Sequence, residues 1–266
     1  MVETRESRLW DDPAVESTLK LFLLPGAAAG DPRPLVVVLP GGGYYIRAPH
    51  EADPVAQWLN RLGFHAAVCH YRVMPHRYPA ALDDAQRAIR TVRHNAAAWG
   101  VDPDRIGVLG FSAGGHLACC CANFGDDGLP NGDAINRAPS RANALIACYP
   151  VTSFTAEFAH FGSRDAILGE TPDPALVHKL SVENSTTPQN PPAFLWHTAE
   201  DNLDARNSLL YAAALAAAKI PYALHVYTRG PHGIGLADTC DFAARNWTRD
   251  CAEWFAEINW LKDPQA

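Results

Sequence analysis

The chain has 266 residues, 48% of them hydrophobic, and a formal net charge of −7. The acidic balance argues against nucleic acid and anionic membrane surfaces as partners, and no run of about twenty apolar residues suggests a membrane span. Residues 1–8 lack an apolar signal core, so a cytoplasmic location is expected, and a chain of this size with no low-complexity linker, repeat or long charge block is expected to form one domain over 1–266.

Residues 18–24 alternate only partly and suggest an opening antiparallel strand. Short apolar runs follow at 35–39, 66–69, 106–109, 144–148, 193–196 and 223–227, the pattern of strands buried in a parallel sheet. Helical stretches lie between them at 54–62, 80–99, 113–124 and 207–219, with a final amphipathic helix at 242–261. Gly100-Val-Asp-Pro-Asp104 reads as a helix stop and turn. Residues 152–192 form a long irregular stretch, expected to be a small cap-like insertion that shapes the substrate pocket. Alternating strands and helices predict an α/β fold with a mostly parallel, doubly wound sheet and helices on both faces.

Gly110-Phe-Ser-Ala-Gly114 stands between an apolar strand run and a helical run. That is G-x-S-x-G in the strand, sharp turn, helix setting that gives the motif meaning. Glycines on either side let neighbouring backbone approach, so the Ser112 hydroxyl can project from the top of the sheet as a nucleophile. Cys119-Cys-Cys121 falls in the following helix without zinc-site spacing and reads as core packing. With seven cysteines in all, an odd number, free thiols are expected rather than a disulfide framework.

The first buried strand runs directly into Pro40-Gly41-Gly42-Gly43-Tyr44-Tyr45. Consecutive glycines at a strand end expose backbone N–H groups to a substrate oxygen. Gly42 and Gly43 are expected oxyanion donors, joined by the amide of Ala113, the residue after the nucleophile. Tyr44 and Tyr45 beside this loop are candidates for touching substrate. No G-x-x-x-x-G-K-[ST] or G-x-G-x-x-G pattern supports a phosphate site.

The base is sought among eleven histidines. His116 lies one helical turn after Ser112 and is expected to point into the scaffold. His197 ends a strand and can only brush the site; His50 and His160 look like surface residues. His232 lies in Gly230-Pro-His-Gly-Ile-Gly235, a loop at the carboxyl end of the last strand, where open α/β sheets bind ligands. The acid is expected between Ser112 and His232 in the chain. Asp201 sits in a strand-end loop and is favoured, with Asp204 as the alternative. Asp84 and Arg72 read as an ion pair or cap rather than as chemistry.

Pro40-Gly-Gly-Gly-Tyr, Tyr71-Arg72, the run from Asp83 to Arg90, Gly110-Phe-Ser-Ala-Gly-Gly-His116, His197-Thr-Ala-Glu-Asp201 and Gly230-Pro-His-Gly-Ile-Gly235 together resemble the serine-esterase branch of the α/β-hydrolase superfamily. Within it the chain is similar to acetyl-xylan-esterase-like and feruloyl-esterase-like (BD-FAE type) enzymes, over residues 18–261. The resemblance implies an α/β-hydrolase fold, Ser112 as nucleophile, Asp201 as acid, His232 as base, and the amides of Gly42, Gly43 and Ala113 as oxyanion donors. It departs from many lipase-like relatives at Pro40, where they have histidine, and at Leu203-Asp204-Ala205, where relatives carry an apolar residue before a proline. The expected function is hydrolysis of small-molecule carboxylic esters through an acyl-enzyme, with short acetyl esters and acetylated sugars as candidate substrates. That chemistry requires no metal or organic cofactor. Amide or lactone hydrolysis on the same groups, and a catalytically silent binding module, are the alternatives.

Overall fold

Six apolar runs of the sequence become parallel strands; five are buried on both faces, as a sheet covered by helices requires, and the run over 223–227 pairs as a half-exposed strand at the sheet edge. The computed structural model describes residues 1–26 and 31–261. Strands β1 (Glu3–Arg8), β2 (Thr18–Leu23), β3 (Arg33–Leu39), β4 (His65–His70), β5 (Val101–Phe111), β6 (Ala144–Cys148), β7 (Ala193–Thr198) and β8 (Tyr222–Tyr227) form one sheet in the order β1-β2-β4-β3-β5-β6-β7-β8. The β1–β2 and β2–β4 pairs are antiparallel and all later pairs are parallel. The opening antiparallel strand and the parallel strands occur where the sequence places them, except that β5 already begins at Val101 and so takes in residues 101–104, read from the sequence as a turn. β1 was not foreseen, because Glu-Thr-Arg-Glu-Ser-Arg has no apolar face. All six of its residues are exposed, and its place at the edge comes from backbone pairing with β2.

Helices α1 (Asp53–Arg61), α2 (Ala80–His94), α3 (Ala96–Trp99), α4 (Ser112–Phe124), α5 (Phe161–Leu168), α6 (Pro174–Leu180), α7 (Arg206–Ala217) and α8 (Trp247–Glu257) complete the fold. Side chains alternate across β3: Leu35, Val37 and Leu39 join the core beneath α2, α4 and α7, while Val36 and Val38 join the core beneath α1 and α8. Cys119, Cys120 and Cys121 are buried in the first of these cores, and all seven cysteines are free thiols. No helix of the described residues is long and apolar enough to cross a membrane.

Three further expectations change. The helix expected over 80–99 divides at Asn95, whose amide side chain donates to the Thr91 carbonyl, and α3 then stops on Gly100 at φ 64°. The final helix begins only at Trp247, after a 3₁₀ turn at Ala243–Asn246. Residues 152–192 are not irregular throughout, since they contain α5 and α6. Asp173 caps α6 by accepting the Ala175 N–H, a signal visible in Asp173-Pro174.

Candidate active site

Ser112 follows β5 and opens α4 with φ 54°, a left-handed conformation that costs an L-residue roughly 1–2 kcal/mol. The two flanking glycines are required by close approach. A Cβ on Gly110 would lie 2.0 Å from the Gly114 carbonyl oxygen, and one on Gly114 would lie 2.2 Å from that of Leu39. Strand, turn and helix therefore meet too tightly for a side chain at either of these two positions.

β7 delivers Asp201 and β8 delivers His232 to the same carboxyl edge of the sheet. The Ser112 hydroxyl lies 2.8 Å from His232 Nε2, and His232 Nδ1 lies 2.8 Å from Asp201 Oδ2. A carboxylate can only accept, so the Nδ1–H donates to Asp201 and Nε2 is left to accept the serine proton. The Asp201 side chain is buried. Burial alone would raise its pKa, but hydrogen bonds from His197 and His232 outweigh it, and the carboxyl is held at about 2. The Leu203 N–H also donates to Asp201, at 2.7 Å. Asp204 instead accepts the Arg206 N–H at the start of α7 and pairs with the Arg206 guanidinium, so it lies outside this chain of contacts.

Three backbone amides are left without a partner among the described residues for a common reason. The carbonyls of Gly41, Gly42 and Ser112 are each tied back, to the N–H groups of Ala48, of Tyr45 and Ile46, and of Val151 respectively. In a trans peptide the N–H of the next residue points the opposite way. The amides of Gly42, Gly43 and Ala113 are thereby turned away from those turns, and among the described residues they make no hydrogen bond. Gly42, Gly43 and Ser112 line a cavity of about 250 Å³, shared with His50, Glu51, His160, Leu203 and His232.

The two tyrosines part company. Tyr44, offered as a substrate contact, is 2% exposed, and its hydroxyl lies 2.7 Å from His116 Nδ1. His116 passes the contact on by donating from Nε2 to the Leu180 carbonyl, so both side chains belong to the scaffold. Tyr44 points inward because the turn at Gly42–Gly43 sends adjacent side chains to opposite sides. Tyr45 is half-exposed beside Gly43, with its hydroxyl 3.3 Å from the Gly162 carbonyl.

Three histidines read as peripheral are part of the site. His197 is wholly buried, with Nε2 2.8 Å from the Leu203 carbonyl and 3.4 Å from Asp201 Oδ2. His50 reaches the Gly233 carbonyl beside His232 at 2.9 Å. His160 caps α5, its Nδ1 accepting the Ser163 N–H. That contact places the ring proton on Nε2, giving the cavity wall a hydrogen-bond donor. Glu51 and Tyr149 were missed as well. The Tyr149 hydroxyl donates to Glu51 at 2.7 Å, and its ring meets that of His232 edge-on at 5.0 Å. Arg72 and Asp84 form the expected ion pair at 2.9 Å, and neither lines the cavity.

Residues 22–214 match the BD-FAE family. An acetyl ester-xyloside bifunctional hydrolase of Caldicellulosiruptor lactoaceticus is 43% identical with a TM-score of 0.92, and the match covers 97% of both chains. The butyrate-bound esterase of Thermogutta terrifontis is 26% identical with a TM-score of 0.82, covering 98% of this chain and 96% of that one. The acetylxylan esterase of Xylanibacter ruminicola is 29% identical over 85% of this chain and 45% of its own length. Endo-1,4-beta-xylanase B of Butyrivibrio fibrisolvens is 34% identical over 77% of this chain and 33% of its own. The chain thus spans between a third and a half of the length of these two curated relatives. Nucleophile-elbow geometry, sheet order and the match over 22–214 agree: the chain belongs to the BD-FAE family and has the α/β-hydrolase fold.

Proposed function

We propose that this chain is a serine carboxylic ester hydrolase that works by two-step acyl transfer on short-chain esters, acetylated sugars among them. The observation that carries this reading is the placement of His232 between Ser112 and Asp201, at 2.8 Å from each. His232 takes the Ser112 proton as the serine oxygen attacks the ester carbonyl, while Asp201 holds the imidazole in the accepting tautomer and stabilises the imidazolium. The amides of Gly42, Gly43 and Ala113 stabilise the oxyanion. His232 then protonates the departing alcohol, and water activated by the same imidazole releases the acid from Ser112.

The small cavity supports a short acyl group, and the names of the relatives support an ester, with xylan-derived alcohols as the leading class. Turnover of p-nitrophenyl esters from acetate to octanoate, beside acetylated xylo-oligosaccharides, tests this. Preference for acetate, release from the sugar, and a loss on the order of 10⁶ in Ser112→Ala are expected. Hydrolysis retained without the Ser112 hydroxyl rejects the mechanism, and a preference for long chains rejects the substrate class.

A further inference from the structure

Glu51 is a carboxylate only 2% exposed in the wall of the cavity, and no step above uses it. Its Oε2 accepts the Gly41 N–H at 2.8 Å, and its Oε1 accepts the Tyr149 hydroxyl at 2.7 Å. The Tyr149 oxygen in turn accepts the Gly235 N–H at 2.8 Å. One side chain thus joins the start of the glycine loop, the end of β6 and the loop that carries His232. Packing leaves no slack at the first junction, because a Cβ on Gly41 would lie 2.7 Å from Glu51 Oε2 and 3.1 Å from the Ser112 Cβ.

Both polar groups of Gly41 are therefore held, the N–H by Glu51 and the carbonyl by the Ala48 N–H. The peptide that follows carries the Gly42 N–H, whose direction is set by that carbonyl. Consecutive glycines have wide conformational freedom, so without these anchors the donors would have to be ordered during each turnover. Preorganised donors gain their advantage over water by avoiding that reorganisation. We propose that Glu51 is a positioning residue, which clamps the oxyanion loop to the base loop through Gly41 and the Tyr149–Gly235 relay. This rests on the esterase reading above.

The clamp acts on groups that bind the transition state more strongly than the substrate, so its loss should fall on kcat rather than KM. Glu51→Ala is expected to lower kcat for p-nitrophenyl acetate by about 10²-fold, the scale of one lost oxyanion donor, with KM within about threefold. Glu51→Gln keeps an acceptor for one donor and should fall between Ala and wild type. Tyr149→Phe cuts only the relay and serves if Glu51→Ala does not fold. Amide hydrogen exchange, read residue by residue in isotope-labelled protein, should speed up at Gly41 and Gly235 in Glu51→Ala, and at Gly235 in Tyr149→Phe. Unchanged kcat in folded Glu51 variants whose turnover still requires Ser112, or unchanged exchange at both glycines, overturns the clamp. Turnover that survives Ser112→Ala overturns the esterase reading instead, and the exchange data then decide the tether alone.

Discussion

Asp201 Oδ2 receives His232 Nδ1 at 2.8 Å and has His197 Nε2 at 3.4 Å, so one carboxylate oxygen is shared by two imidazoles, one from β7 and one from the loop after β8. The second imidazole is wholly buried and fixed by the Leu203 carbonyl and the Ser208 hydroxyl. This sharing keeps Asp201 ionised and holds its oxygen against His232.

Asp201→Asn should lower kcat by about 10⁴, because an amide at this position favours the wrong imidazole tautomer. Asp204→Asn should leave turnover within about threefold of wild type, since Asp204 pairs with Arg206 at the surface. Asp201 is ionised down to about pH 2, so an acid limb of kcat/KM above that pH belongs to another group. Steady-state rates of both variants check this, and a larger loss in Asp204→Asn would reverse the assignment of the acid.

Gly114→Ala places a methyl group 2.2 Å from the Leu39 oxygen and 2.5 Å from that of Pro40. Both are backbone atoms at the end of the central strand and cannot swing aside. A destabilisation of about 3 kcal/mol or more is expected, at the upper end of overpacking effects. Urea unfolding measures it; wild-type stability would show that the elbow has room that the structure denies.

His116 is enclosed by the core, and burial lowers its pKa from 6.5 to about 4. The unfolded chain then binds this proton before the folded one does, so stability is complete above about pH 6.5 and is lost as pH falls toward 4. The shift corresponds to roughly 3 kcal/mol at the acid end of that window. His65, lowered to about 4 by its own burial, adds to the same slope. His116→Gln should flatten the dependence of unfolding free energy on pH between 6.5 and 4 without abolishing it. An unchanged slope in urea titrations across that range would show that His116 is not the group responsible.

His160→Phe removes the Nε2–H from the cavity wall while retaining a ring. KM for acetylated xylo-oligosaccharides should rise about tenfold, the equivalent of one hydrogen bond to a sugar hydroxyl. On p-nitrophenyl acetate, whose leaving group has no such hydroxyl, kcat/KM should stay within about twofold. Equal losses on both substrates would place His160 in the scaffold of α5 instead.

The settings that bring Ser112 and His232 into contact were legible because each is announced by its own neighbours: a glycine-flanked serine between strand and helix, and a glycine-rich loop after the last strand. Five of the six parallel strands were legible because burial on both faces leaves an apolar run, and β8 because its run is mostly apolar despite His225. Asp201 and Asp204 lie in one loop, and local sequence ranks them without separating them. Tyr44 and Tyr45 are adjacent, so only the path of the glycine turn sends one into the core and leaves the other at the rim.

The amino-acid order by itself announced the alternation of strands and helices, the glycine-flanked turn at Ser112 and the glycine loop, since each is marked by residues close together in the chain. Only the tertiary structure decided which carboxylate meets the imidazole, that His197 supports it, and that Glu51 meets Tyr149 across 98 positions. Those pairings arise where separate strands end on a common edge, and no local pattern encodes a distance between residues that folding alone brings together.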